Sequence, residues 1–200
     1  QKRYVVKFYR PQRWTDEQII EEHSFSQLLM EEDISVVAPL SINNRSLHEI
    51  EGYRFTLFES VGGRQFEVDN LDQLESVGRM LGRMHRVAHT DTFKHRLAIS
   101  IETHLSEPLA TLKAYEIVPH HLKTAFFTIL EQLIARTSDY YTRAIKKIDG
   151  AIRLHADVHP GNILWRDGPM LVDFDDCRNG PAIQDLWMML NGDRQQQTLQ

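Results

Sequence analysis

Residues 154–176 read LHADVHPGNILWRDGPMLVDFDD, and they hold two histidines and five aspartates around one asparagine, Asn162. The apolar runs in this region are short: AIRLHADV (151–158), ILWR (163–166) and MLVDF (170–174). Short runs divided by Pro-Gly and Asp-Gly pairs predict brief strands that carry loops, and the loops hold the polar side chains. Two spacings stand out. Asp157 is followed five residues later by Asn162, and Asp173 closes the run MLVD.

Upstream of this segment the character changes twice. RYVVKFYRP is a β-type run stopped by Pro11, and Lys7 lies inside it. TDEQIIEEHSFSQLLMEEDI has helical spacing at Ile19, Ile20, His23, Leu28 and Leu29, with Thr15 or Asp16 as its cap. VVAPLSI, an NNR turn, SLHEIEGY and RFTLFESV predict a small antiparallel sheet. Gly62-Gly63 marks a break between lobes, so residues 1–61 and 62–200 are expected to be separate units. NLDQLESVGRMLGRMHRVAH and LKTAFFTILEQLIARTSDYYTRAI are amphipathic helices. The fold class expected is α+β: a β-rich N-terminal lobe, then a mainly helical lobe bearing a short hairpin. Trp165, Trp187 and the run Met188-Met189-Leu190 are read as core.

Composition bounds the function. Hydrophobic residues are 42% and charged residues 26%, the balance of a globular protein, and the formal net charge is −5. That balance offers no overall basic field, so no nucleic-acid partner is expected. Apolar runs of membrane-spanning length are absent, so no membrane partner is expected either. Cys177 is the single cysteine, which excludes an internal disulfide and suggests a reducing, cytoplasmic location. The chain opens on QKRYVVKFYR without methionine and closes on NGDRQQQTLQ, which reads as a helix cut short; a fragment of a longer protein is expected.

The polar segment fits phosphoryl transfer. In protein kinases a catalytic-loop Asp is followed at this separation by an Asn, with a metal-binding Asp at a strand end downstream. Transferred phosphate carries concentrated negative charge, and Mg²⁺ bound through one carboxylate and one amide oxygen offsets it. A further carboxylate can accept the proton of the attacking hydroxyl. Asp157 suits the base, and Asn162 and Asp173 suit the metal. Lys7 in VVKFY is placed to hold ATP phosphates, with Glu22 of the next helix as its partner and Glu17 left as solvated surface. Backbone groups from Glu59 to Val61 would read an adenine edge. A rival reading takes His155, Asp157 and His159 as ligands of a metal-dependent hydrolase, because alternate residues on a strand share one face. Another is Pro-Gly and Asp-Gly turn chemistry with no catalytic role.

HADVHPGN, VDFDD and QDLW together resemble the aminoglycoside phosphotransferase and choline kinase superfamily, which has a protein-kinase-like fold. VVKFYRP, SVGGRQFE, GNILWRDGPM and DDCRNGPAIQDLWMMLNGD are more narrowly similar to bacterial stress-response serine/threonine protein kinases within it. The resemblance spans nearly the whole chain. It implies ATP- and Mg²⁺-dependent phosphorylation of protein serine or threonine hydroxyls. Residue by residue, it implies Asp157 as base, Lys7 and Glu22 at the phosphates, and Asn162 and Asp173 as magnesium ligands. Small-molecule kinases of the same superfamily are the alternative. His155 would orient the catalytic loop and Asp185 would support it by accepting hydrogen bonds. Two family features are not expected in this chain: a glycine-rich phosphate loop before Lys7, whose strand would then have no preceding hairpin partner, and the C-terminal helices. A third departure is Ala156, which stands where the family commonly has glycine.

Overall fold

The computed structural model describes residues 2–147 and 150–200, and its elements form a two-lobed, protein-kinase-like α+β fold. The N-terminal lobe is built from β1 (Tyr4–Phe8), α1 (Asp16–Glu31), β2 (His48–Ile50) and β3 (Tyr53–Glu59). Its sheet has the order β1-β3-β2 and is antiparallel throughout. The Lys7 strand is held in this sheet, contrary to the expectation that it would lack a partner: β1 pairs along its whole length with β3, from Tyr4 opposite Glu59 to Phe8 opposite Phe55. Residues 36–42 fall short of the expected strand. They make only isolated bridges, Val36 to Leu171, Pro39 to Phe58 and Ile42 to Arg45, because a proline mid-run has no N–H for a ladder. The turn after them is as expected. Asn43 and Asn44 take φ of 51° and 61°, the left-handed pair that a tight hairpin turn demands.

Helix α1 starts where its cap dictates. The Thr15 hydroxyl oxygen accepts a hydrogen bond from the Gln18 backbone N–H, and the Gln18 side-chain oxygen accepts one from the Thr15 N–H. Its buried face is Ile19, Glu22, His23, Phe25, Ser26 and Leu29. Three of these are polar, and each is paired, as burial requires. Ser26 bonds back to the Glu22 and His23 carbonyls, and His23 lies between the Tyr9 hydroxyl (2.8 Å) and Ser46 Oγ (2.7 Å).

The second lobe runs β4 (Arg64–Gln65), α2 (Leu71–Ala88), a π turn at Glu102–Ser106, α3 (Glu107–Ala114) and α4 (Lys123–Lys147). It continues as β5 (Ile152–Leu154), β6 (Ile163–Trp165), β7 (Pro169–Leu171), β8 (Arg178–Gly180), α5 (Gln184–Trp187) and α6 (Arg194–Leu199). β6 and β7 form a hairpin with β4 on its other edge, and β5 pairs with β8. Gly63 permits the β4 approach, since a Cβ there would lie 3.0 Å from the Leu164 Cβ. The core runs across both lobes. Phe25 and Leu29 of α1 meet Met80, Leu81 and Met84 of α2 and Leu154, Ile163 and Leu171 of the strands, all at 2% exposure or less. Phe25 stands edge-on to Phe93 and Phe174, with centroids 5.3 and 6.0 Å away. Met189 joins this core, but Trp187 and Leu190 are 53% and 47% exposed, contrary to the core reading of that run.

Candidate functional site

Residues 154–176 fold as two loops that meet at one point. β5 ends at Leu154, and Ala156 turns left-handed (φ 68°), which breaks the strand alternation. His155 therefore turns into the interior, while His159 stays beside Asp157, with its Nε2 3.6 Å from Asp157 Oδ2. The His155 ring is fully buried; its Nε2–H donates to the Val172 carbonyl (3.0 Å) and its Nδ1 accepts from the Asp157 N–H (3.3 Å). Burial is the dominant influence on this imidazole and holds its pKa below the usual value, consistent with a neutral ring using both nitrogens. Among the described residues no three His, Cys, Asp or Glu side chains converge as a metal cage, which removes the ligand set of the hydrolase reading. His159 Nδ1 instead accepts from the Gly161 N–H (3.0 Å), so close that a Cβ on Gly161 would sit 2.7 Å from the ring.

The loop is pinned from below by Asp185, whose side chain is wholly buried. Its carboxylate accepts the His155 N–H (3.2 Å), the Ala156 N–H (2.7 Å) and the His85 Nε2–H (3.0 Å). Above, Asn162 Nδ2 donates to both the carbonyl and the Oδ2 of Asp157 (3.0 and 3.1 Å). The Asn162 carbonyl accepts from Val172 N–H, which sets Asn162 beside the Val172-Asp173 turn, and its amide oxygen has no hydrogen-bond partner among the described residues. Asp173 follows in the left-handed conformation (φ 62°) with a half-exposed carboxylate. An amide oxygen and a carboxylate are hard donors of the kind that Mg²⁺ accepts when phosphate oxygens and water complete its shell.

Lys7 closes the arrangement. Lys7 and Tyr9 are two apart on one strand face and meet Glu22 and His23, adjacent on α1. The Lys7 ammonium lies 3.2 Å from Glu22 Oε1, 3.2 Å from Asp173 Oδ1 and 3.1 Å from Asp175 Oδ1. Burial pulls its pKa down, but the Glu22, Asp175 and Asp173 carboxylates outweigh that and raise it. Asp175 shows the reverse balance: burial pushes its pKa up, and Lys7 and Arg13 bring it below the usual carboxylate value. Glu22 is the most deeply buried of the three, and burial pushes its carboxyl up against Lys7 and Arg96. The Lys7 face borders a cleft of about 440 Å³ lined by Val5, Val37, Phe58, Glu59, Val61 and Asp173 among others.

Two arginines of the site, Arg96 and Arg13, escape sequence reasoning. Arg96, from the irregular segment after α2, has a fully buried side chain. It donates to Glu22 Oε2 (2.7 Å) and the Asp175 carbonyl (2.7 Å), and its guanidinium lies 4.4 Å from the Trp14 ring centre. The neighbouring Glu21 accepts the backbone N–H groups of Lys94, His95 and Arg96, so α1 is bolted to this segment at two successive residues. Arg13 and Asp175 form the third contact at 3.0 Å. The segment around Arg96 has no periodicity, and its role exists only through contacts more than 70 residues distant in sequence. Cys177 is buried, and burial raises its thiol pKa, so it is a packed side chain and not a reactive one.

A family model described as "Phosphotransferase enzyme family" matches residues 1–200. The chain belongs to the phosphotransferase enzyme family. Curated relatives agree: it is 50% identical to "Stress response kinase A" of Shigella flexneri and 49% to that of Escherichia coli (strain K12), in each case across 100% of this chain and 60% of the relative. It is 46% identical to "Serine/threonine protein kinase RdoA" of Salmonella typhimurium over the same shares. The chain thus spans about 60% of the length of the curated relatives it matches. Among solved structures, the phosphotransferase fold recurs in a microcompartment-associated aminopropanol kinase (TM-score 0.70, 18% identity, 96% of this chain and 63% of that one). It recurs also in amicoumacin kinase hAmiN in complex with AMP-PNP, Ca²⁺ and Ami (TM-score 0.67, 20% identity, 94% and 56%).

Proposed function

We propose that this chain carries the nucleotide and phosphoryl-transfer site of an ATP- and Mg²⁺-dependent serine/threonine protein kinase that acts on protein hydroxyls in the cytoplasm. The observation that carries the reading is Lys7, held within 3.2 Å of Glu22 on α1 and of Asp173 beyond β7, so that one ammonium joins the two lobes at the mouth of an apolar cleft. In this reading the adenine lies against that cleft, with the backbone from Glu59 to Val61 at its edge. Lys7, steadied by Glu22, holds the phosphates. Asn162 and Asp173 would hold Mg²⁺, which offsets the charge on the transferred phosphate. Asp157, fixed by Asn162, accepts the proton of the acceptor hydroxyl. A second cleft beside Asp157, lined by His104, Asp176, Arg178 and Gln184 among others, is the acceptor side.

Small-molecule phosphorylation is the competing reading, because solved neighbours include kinases of an aminopropanol and of amicoumacin. Relatives at 46–50% identity named as stress response or serine/threonine kinases weigh more than neighbours at 18–20%. The test is full-length protein incubated with labelled ATP and Mg²⁺, with a general protein substrate in one arm and amino alcohols and aminoglycosides in the other. Label in protein is expected, and Asp157→Ala should abolish it while ATP still binds. Label only in small molecules would replace the protein-kinase reading, and near-normal turnover in Asp157→Ala would remove Asp157 as the base.

A further inference from the structure

Helix α2 has a second face that the site does not use. Arg79, Arg83 and Arg86 follow one another at helical spacing and form one wall of a groove of about 980 Å³. The turn of the β6–β7 hairpin forms the other wall and adds Arg166. The groove carries four arginines against one acidic lining residue, Asp167, in a chain of formal net charge −5. Arg79 has an ion pair with Glu75, but the side chains of Arg83, Arg86 and Arg166 have no partner among the described residues. Like charges three and four residues apart on a helix oppose folding by a few tenths of a kcal/mol each, so the arrangement has no structural return.

The glycines say the same thing independently. Gly78 and Gly82 lie inside α2, where each costs about 1 kcal/mol relative to alanine. A Cβ at either position would meet nothing within 4 Å, so packing does not require them. Gly82 lines the groove between Arg79 and Arg86 and leaves its floor open. A floor without side chains, flanked by guanidinium forks that match carboxylates, suits an extended chain with acidic side chains.

We infer that this groove docks an acidic segment of the protein substrate, apart from the hydroxyl that receives phosphate. The inference rests on the protein-kinase reading. The hairpin supplies the coupling distance: its turn is one three-residue strand, about 10 Å, from Asn162 and Asp173 at the other end. A substrate could therefore hold the groove and the transfer site at once, and docking would raise its effective concentration at Asp157.

The experiment uses full-length protein and two readouts. In the first, a fluorescent peptide with a run of six glutamates is titrated at low and at moderate salt, and anisotropy is read. Wild type should bind it, Arg83→Glu/Arg86→Glu should weaken binding at least tenfold, and Gly82→Gln should weaken binding while raising thermal stability. In the second, a phosphoacceptor peptide is compared with and without the acidic run on a flexible linker. The run should lower KM about tenfold in wild type and have no effect in the double variant, with kcat, the KM for ATP and the KM for the plain peptide unchanged. Acidic peptide that fails to bind, or binds equally well to the double variant, overturns the inference, as does tighter binding of a single-stranded oligonucleotide to the same arginines. Loss of phosphorylation of every peptide by a wild type that still binds the acidic run would instead sink the protein-kinase reading and leave the groove as an acidic-peptide site.

Discussion

Ala156 is the residue where local cost and site geometry conflict. It is buried, holds φ of 68°, and its N–H and carbonyl are both bonded, to Asp185 and Gln184. A left-handed alanine is strained by about 1–2 kcal/mol. Ala156→Gly should relieve that strain while adding about 0.4–1 kcal/mol of freedom to the unfolded chain. The net expectation is a gain of about 0.5–1 kcal/mol, opposite in sign to a typical alanine-to-glycine change; a lowered urea midpoint would show that the loop is not strained at this residue. Arg96 poses the complementary question. With both buried hydrogen bonds lost, Arg96→Met leaves Glu22 dependent on Lys7 alone and should cost about 3 kcal/mol. If Arg96 positions the Lys7–Glu22 pair, the KM for ATP should also rise several-fold and Arg96→Lys should recover part of it. A stability loss with an unchanged KM would limit Arg96 to holding the lobes together. Lys7, Asp157, Asn162 and Asp173 could be proposed from the sequence because each sits in a short motif. Arg96 and the charge balance at Asp175 were not, because their partners come from distant segments.

At the scale of elements, α1 decides where Glu22 points. Its start is fixed by the reciprocal Thr15–Gln18 cap, and a shift of one residue would rotate Glu22 by about 100° away from Lys7. Thr15→Ala should lower stability by about 1 kcal/mol, read as a fall in thermal midpoint, with a smaller loss of ATP affinity from fraying of the first turn. No change in either measurement would mean that the Glu21 and Glu22 contacts alone set the register. The sequence showed the helix and its cap, and it showed the hairpin of residues 163–171. It overstated the sheet: residues 36–42 look like a strand by composition, and Pro39 prevents them from joining a ladder. Helix α4 is amphipathic as read, yet Phe126, Ile129, Leu133 and Tyr140 form an exposed stripe along it, because periodicity tells which residues share a face and not what covers that face.

At the scale of the whole molecule, the two lobes share one core and one chain of charges, so acid should act on both together. Burial, reinforced by the Lys7, Arg96 and His48 charges, lowers the His23 pKa from 6.5 to about 4. Between those values the unfolded chain binds a proton that the folded chain refuses, so stability falls as pH falls through that window, by about 3 kcal/mol in full. The buried, neutral His155 acts with the same sign. Urea midpoints at pH 7.5, 6 and 5 should decline, and His23→Asn should flatten part of that slope; a slope identical to wild type would show that other groups carry the acid sensitivity. The sequence by itself determined the secondary elements with strong periodicity or caps and the two-lobed order, and it singled out Asp157, Asn162 and Asp173 as candidates, since these readings depend on near neighbours in the chain. Only the tertiary structure decided that His155 is a buried support and not a metal ligand, that Ala156 is left-handed, and that Arg96 and Asp175 complete the Lys7 cluster. Those outcomes depend on burial and on which distant groups arrive within 3 Å or so, and hydrogen bonding and desolvation act at that range whatever the separation in sequence.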